Sequence, residues 1–294
     1  MLMYNLLMTA PKKPFFSIVI PVLNEEKALP SLLADLANQT SQDFEVIVVD
    51  GHSDDKSVEK AKALTSKLPS LTIVTSDVRN VSVQRNLGAR KAKGEYILFN
   101  DADNNLPNHY LEGIKYHIRV TPADLFTVWC QADTNKRSDK AIATYLNLLV
   151  EAGYLTKTPG AFGAMIGCKT SKFEKTGGFN PKVGFAEDTE FVRQGYKKGL
   201  SFTVFHDPRY VYSLRRFRKV GMLKITQQYA ILNLKYITKQ QVDQVSEYPM
   251  GGAFFDGDEK TAKMFSKVDS TFAKLLKKPK ILDKISALLS LEEK

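Results

Sequence analysis

The stretch Tyr96-Ile97-Leu98-Phe99-Asn100 runs directly into Asp101-Ala102-Asp103, and this junction constrains the chain more than any other. A short apolar run with Gly94 before it and Asn104-Asn105 after it reads as a buried strand. Two carboxylates one residue apart at its end cannot enter a core, so they must be solvated, paired or bound to a metal. Hard divalent cations take oxygen ligands, and Mg2+ commonly uses one or two carboxylates together with substrate phosphates. Two readings stand at this point: Asp101 and Asp103 hold a cation and a nucleotide diphosphate at a strand end, or they form a solvated turn.

The segments before this junction favour the first reading. Residues 15–22 form an apolar strand with Pro21 near its end, where a missing ladder donor is tolerable. Asn24 is placed to cap a helix that carries Glu25 and Glu26 in its first turn and buries Leu29, Leu32, Leu33 and Leu36. A second strand over 44–49 ends in Asp50-Gly51-His52-Ser53-Asp54-Asp55, with Ser53 or Asp54 capping the next helix. A third strand over 71–75 and a basic helix over 84–92 lead to the fourth strand. Four strand–helix units in succession imply a parallel sheet with right-handed crossovers, and ligands of such sheets bind beyond the carboxyl ends of the strands. The polar clusters at 21–26, 50–55 and 101–105 all fall on that rim.

The pattern then changes. A helix over 106–120 and a strand over 124–130 precede an amphipathic helix over 139–153. The Gly-rich apolar segment 158–167 is either an acceptor-side loop feeding a short strand or a tight turn. Phe173 to Gly178 reads as a short helix and its stop. Glu187, Asp188 and Glu190 open the next helix, where the dipole favours acids; a positioned general base would look the same. A strand over 201–205 is followed by His206-Asp207-Pro208, a segment 210–214, Arg215-Arg216-Phe217-Arg218-Lys219, and a helix from Gly221 to about Tyr236.

Charge bears on partners. The net charge is +10, and from Arg215 to Lys294 there are 16 basic against 9 acidic residues, so +7 of it lies there. Such a region attracts lipid headgroups, nucleic acid or phosphorylated substrates. Lysines around Phe265, Phe272, Leu275 and Leu276 mark a basic amphipathic helix, which either lies on an anionic membrane or packs on its own domain. No nucleic-acid module stands out. Cys130 and Cys168 show neither metal spacing nor a disulfide framework, which suits a reducing compartment. No run approaches the roughly 20 apolar residues of a membrane span, and residues 1–10, apolar but without a positive region before them, do not read as a signal peptide. The expected location is cytoplasmic, with peripheral contact to the membrane face.

Taken in order, Ser17-Ile18-Val19-Ile20-Pro21-Val22-Leu23-Asn24-Glu25, Val48-Val49-Asp50-Gly51-His52-Ser53-Asp54, Gln84-Arg85-Asn86-Leu87-Gly88 with Ala92-Lys93-Gly94-Glu95-Tyr96, the Asp101-Ala102-Asp103 motif, and Gly177-Gly178-Phe179 through Glu187-Asp188 resemble the inverting glycosyltransferase family 2 over about residues 15 to 220. The resemblance implies the GT-A fold: an α/β, Rossmann-like, mostly parallel sheet flanked by helices, here with a basic helical C-terminal extension. With the leader and the basic tail read from composition, the expected division is a leader over 1–14, a catalytic domain over 15–238 (nucleotide half 15–130, acceptor half 131–238) and the extension over 239–294. The resemblance implies transfer, with inversion, from a UDP- or GDP-sugar to a glycan, lipid-phosphate or small-molecule acceptor. Pro21, Asn24, Glu25, Asp50 and Arg85 would then bind the nucleotide. Asp101 would meet the ribose or the metal's water shell, and Asp103 would ligate Mg2+ or Mn2+. Asp188 would be the base with Glu187 assisting, and Arg215 and Arg216 would close on the diphosphate or remain solvated. His206 would be a further metal ligand or simply hydrogen-bonded. The QxxRW motif of processive members is absent, as is the G-x-G-x-x-G of dinucleotide enzymes. Val22-Leu23-Asn24-Glu25 stands where a nucleotidyltransferase has a Gly-rich, Arg-bearing loop. The competing reading from another class is a non-catalytic sugar-nucleotide or lipid-binding protein.

Overall fold

The computed structural model describes residues 13–184 and 186–220. The helix expected over 221–236, the extension over 239–294 and all but the end of the leader lie outside the described residues.

Strands β1 (Phe16–Val22), β2 (Phe44–Asp50) and β4 (Tyr96–Asn100) are buried along their whole length. This is why they read as unbroken apolar runs: parallel strands in the middle of a sheet are covered on both faces. With β3 (Leu71–Thr75), β5 (Leu125–Ala132), β6 (Met165–Lys169) and β7 (Phe202–Tyr212) they form one seven-stranded sheet in the order β3-β2-β1-β4-β6-β5-β7. β1 pairs in parallel with β2 and β4, β2 with β3, and β5 with β7. β6 runs antiparallel to both β4 and β5, so the sheet is mixed.

Alternate residues sort to the two faces, as the pleat requires. Ile18, Ile20 and Leu98 join a core with Leu32 and Leu33 of helix α1 (Leu29–Ala37) and with Leu111 and Ile114 further along. Val19, Ile97 and Phe99 face the opposite core with Phe179, Phe191 and Val192. On that second face, helix α3 (Val81–Lys91) lies close because Gly88 meets β1: a Cβ there would stand 2.3 Å from Val19 Cγ1.

Several boundaries differ from the sequence reading. α1 starts at Leu29, not after Asn24, with Pro30 in its first turn. Asn24 instead adopts φ 56° and accepts from the Asp54 N–H, tying the loop after β1 to the loop after β2. α2 (Ser57–Lys62) has the Asp55 carboxylate, not Ser53 or Asp54, accepting from the Ser57 N–H. α3 begins earlier than Gln84, because Asn80 caps it by accepting from the Val83 N–H. α4 (Tyr110–Val120) starts one turn beyond Pro107, and α5 (Arg137–Leu155) is longer than 139–153. α6 (Phe173–Thr176) ends in left-handed Gly177, as expected for a glycine stop. α7 spans Glu187–Lys197. β7 is one strand through His206-Asp207-Pro208, accommodated by an irregularity opposite Val128–Cys130. α8 (Arg215–Val220) closes the described chain.

Candidate active site

The strand order reverses at β1, whose neighbours are β2 on one side and β4 on the other. A crevice opens beyond the carboxyl ends there, the usual ligand position in open α/β sheets. Pro21 and Glu25 line it from the end of β1, Asp101 and Asp103 from the end of β4. Gly163, Glu187 and Asp188 line it as well, and so do Arg215 and Arg216 at the start of α8. Arg85 of α3 lines it too. The acids separated by 85 residues in sequence, Asp103 and Asp188, therefore share one cleft.

Two arginines organise these acids. Arg85 is 2% exposed, and its guanidinium donates to Asp101 Oδ1 at 2.9 Å, to Glu187 Oε1 at 2.8 Å and to the Gly163 carbonyl at 3.2 Å. It lies over the Phe179 ring, 5.2 Å from the centroid. Burial works against its charge, but Asp101 and Glu187 outweigh this and hold the guanidinium above its ordinary range. Gly163 has no room for a side chain: a Cβ would stand 2.5 Å from the guanidinium. Arg215 spans the other side, donating to both oxygens of Glu25 at 2.8 and 3.3 Å and standing 3.1 Å from Asp103 Oδ2. A planar guanidinium suits this fork geometry.

Asp188 enters at the first turn of α7, after Ala186 turns the chain with φ 59°. Its two carboxylate oxygens accept from the backbone N–H groups of Gly163 and Thr189. Burial and then the Glu187 charge push its carboxyl up to about 7, against the pull of Arg85. Glu25 is likewise raised to about 7, by burial first, with Asp103 and Asp101 adding to it and Arg215 opposing. Burial also raises Asp103, with Asp101 adding and Arg215 opposing.

Asp101 and Asp103 after β4 supply carboxylate oxygens of the kind a hard cation takes. Among the described residues no three His, Cys, Asp or Glu side chains are grouped to hold a metal by themselves. A cation on Asp103 would therefore take its other oxygens from substrate and water.

Three of the expected site residues do not line the cleft. His206 lies elsewhere: its Nε2 is 2.9 Å from Glu151 Oε1 and its ring packs on Trp129, because β7 continues through it instead of ending before it. Asn24 is spent on the Asp54 N–H. Asp50 is buried at the end of β2 and accepts from the Ser53 N–H. Other residues were not singled out from the sequence. Gln84 donates to the carbonyls of Val22 and Val49, fixing the ends of β1 and β2 together, and Gly163 carries the bond to Asp188. The Gly-rich run 158–167 was the only signal for the latter. Tyr212 and Ser213 line the cleft without any such signal.

The fold and the acid-lined crevice define the GT-A class of α/β proteins. Among solved structures, the mannosyltransferase PcManGT from Pyrobaculum calidifontis in complex with GDP-Man and Mn2+ is similar at a TM-score of 0.60 and 19% identity, over 96% of this chain and 80% of that one. S. aureus TarS 1-349 in complex with UDP-GlcNAc is similar at 0.55 and 21%, over 67% of this chain and 58% of that one. At these identities the likeness is one of fold. The family model of Glycosyl transferase family 2 matches residues 17–177, more than half of the chain, and the chain belongs to this family. A PGL/p-HBAD biosynthesis glycosyltransferase of Mycobacterium bovis is 38% identical over 94 residues, 32% of this chain and 37% of the relative. A cholesterol galactosyltransferase of Borreliella burgdorferi is 28% identical over 109 residues, 37% of this chain and 30% of the relative. The chain thus spans about a third of the length of these curated relatives.

Proposed function

We propose that this chain transfers a sugar from a nucleotide diphosphate donor, a UDP- or GDP-sugar, to an acceptor hydroxyl or lipid phosphate with inversion at the anomeric carbon. The observation that carries the proposal is Asp188: a carboxylate raised to about 7 and held by two backbone donors in the cleft that Asp103 also lines. A base near neutral pKa is matched to removing a hydroxyl proton. Asp188 accepts the acceptor's proton while the nucleophile attacks on the face opposite the leaving diphosphate, and one such displacement inverts the centre. Glu187, fixed by Arg85, keeps the base at its place in the cleft.

Asp103 would hold Mg2+ or Mn2+, with Asp101 beside it; when bound, the cation supplies charge neutralisation for the departing diphosphate. Arg215 and Arg216 are the cleft cations suited to the phosphate oxygens. Pro21 and Glu25 line the nucleoside end. Asp50 and Asn24 set the ends of β1 and β2 that shape it. The names of the similar structures, with UDP-GlcNAc in one and GDP-Man and Mn2+ in the other, support a nucleotide-sugar donor and a divalent cation here. Among the described residues no helix is long and apolar enough to cross a membrane. The net +10 supports peripheral contact with an anionic membrane.

The test is a panel of UDP- and GDP-sugars, each with and without Mn2+, read by thermal shift and by nucleotide release. One donor should stabilise the protein in a cation-dependent way and release its nucleotide. Stabilisation without release on any acceptor would favour a non-catalytic binding protein.

A further inference from the structure

Helix α5 carries a second apolar face that its own domain does not use. Ile142, Leu146 and Val150 are buried against the sheet, as an amphipathic helix requires. Yet Tyr145, Leu148, Leu149 and Leu155 are 40 to 75% exposed. At about 100° per residue Tyr145, Leu148 and Leu155 fall within about 80° of one another on the side away from Leu146 and Val150, and Leu149 lies at the edge of that stripe. Of the eight large hydrophobic side chains exposed among the described residues, these four belong to this one helix; Tyr154, also on it, packs against Phe202 instead. Scattered exposed leucines need no explanation, but a contiguous stripe of them marks an interaction surface.

The charges around the stripe identify the partner. Both acids of α5 are withdrawn from it. Asp139 is buried and accepts from Thr134, Ser138 and Arg218. Glu151 accepts from the Trp129 indole and is paired with His206. What remains exposed is basic: Arg137 and Lys140 at the start of the helix and Lys157 just past its end. An apolar stripe with a tyrosine in it and cations at both ends matches a helix lying in the headgroup plane of an anionic bilayer.

We infer that the outer face of α5 docks this protein flat on an anionic lipid surface. α5 leads into the segment whose Gly163 N–H holds Asp188, and a lipid-borne acceptor would suit such docking; that link rests on the proposed function, and the docking itself does not.

The test is co-sedimentation of the full chain with vesicles of phosphatidylcholine alone or with added phosphatidylglycerol. The wild type should pellet only with the anionic vesicles. Leu148→Glu with Leu149→Glu should weaken this by about tenfold or more, and Lys140→Glu with Lys157→Glu by less. Both variants should keep the wild-type Tm and oligomeric state. Failure of the wild type to bind, or undiminished binding by the leucine variant, overturns the inference. So does a leucine variant that loses several degrees of Tm or dissociates a dimer, since residues 221–294 or a second copy would then cover the face. Nucleotide release with a water-soluble acceptor separates the two claims. If it is absent in the wild type while vesicle binding depends on the leucines, the docking stands and the transferase reading falls.

Discussion

The two arginines of the cleft do the same electrostatic task in different surroundings. Each bridges two carboxylates from different parts of the chain: Arg85 joins Asp101 to Glu187, and Arg215 joins Glu25 to Asp103. Arg85 projects from α3, a helix packed onto β1 through Gly88, and its side chain is 2% exposed. Arg215 belongs to α8, at the end of the described chain, and its side chain is 17% exposed. The first clamp is part of the scaffold that fixes the base helix to the end of β4. The second lies across the ligand side of the cleft, on the acid assigned to the cation. A buried charge cannot lose its partners without leaving them desolvated, whereas Glu25, already raised to about 7, can take a proton instead.

This contrast can be broken in three ways, largest effect first. Arg85→Met should cost about 3–5 kcal/mol of unfolding free energy, because it strands two carboxylates around a buried site. Urea unfolding monitored by circular dichroism measures it, and a loss below 1 kcal/mol would place Arg85 outside the scaffold. Arg215→Met should cost only about 1–2 kcal/mol, while donor affinity falls roughly tenfold as a charge-assisted phosphate contact is lost. Calorimetric titration with the donor tests this; unchanged affinity would remove Arg215 from the phosphate site. The smallest effect is in pH. A general base works deprotonated, so the rate should rise with pH through about 7, the value to which Asp188 is pushed. Arg85 pulls that carboxyl down, so Arg85→Lys, which weakens the geometry but keeps the charge, should move the rising limb upward by a fraction of a unit. Arg215→Met should leave the limb in place. A pH–rate profile of each variant separates them.

Much of the scaffold is legible in the sequence. β1, β2 and β4 announce themselves as unbroken apolar runs because both faces are covered. The acids that follow them cannot be core residues. Other features depend on contacts across the chain. That β6 runs against its neighbours is a matter of connection, and five apolar residues look alike in either direction. Asn24 looks like a helix cap, but its bond goes to the N–H of Asp54, 30 residues on. For His206 the family resemblance offers a metal ligand and the residue type a plain hydrogen bond; β7 runs through it and its Nε2 meets Glu151, the second of these. Arg85 lines the cleft as the resemblance implies, but its partner Glu187 is 102 residues away, and no local pattern records that pair.

The central claim is that Asp188 removes the acceptor proton in a cleft where the nucleotide is held by other groups. The direct measurement is nucleotide release by Asp188→Asn, made alongside its affinity for the donor. Turnover should fall by about 10^2- to 10^4-fold, with donor affinity within a factor of about three of wild type, since Asn keeps the size of the side chain while losing the base. Turnover near the wild-type rate would contradict the account.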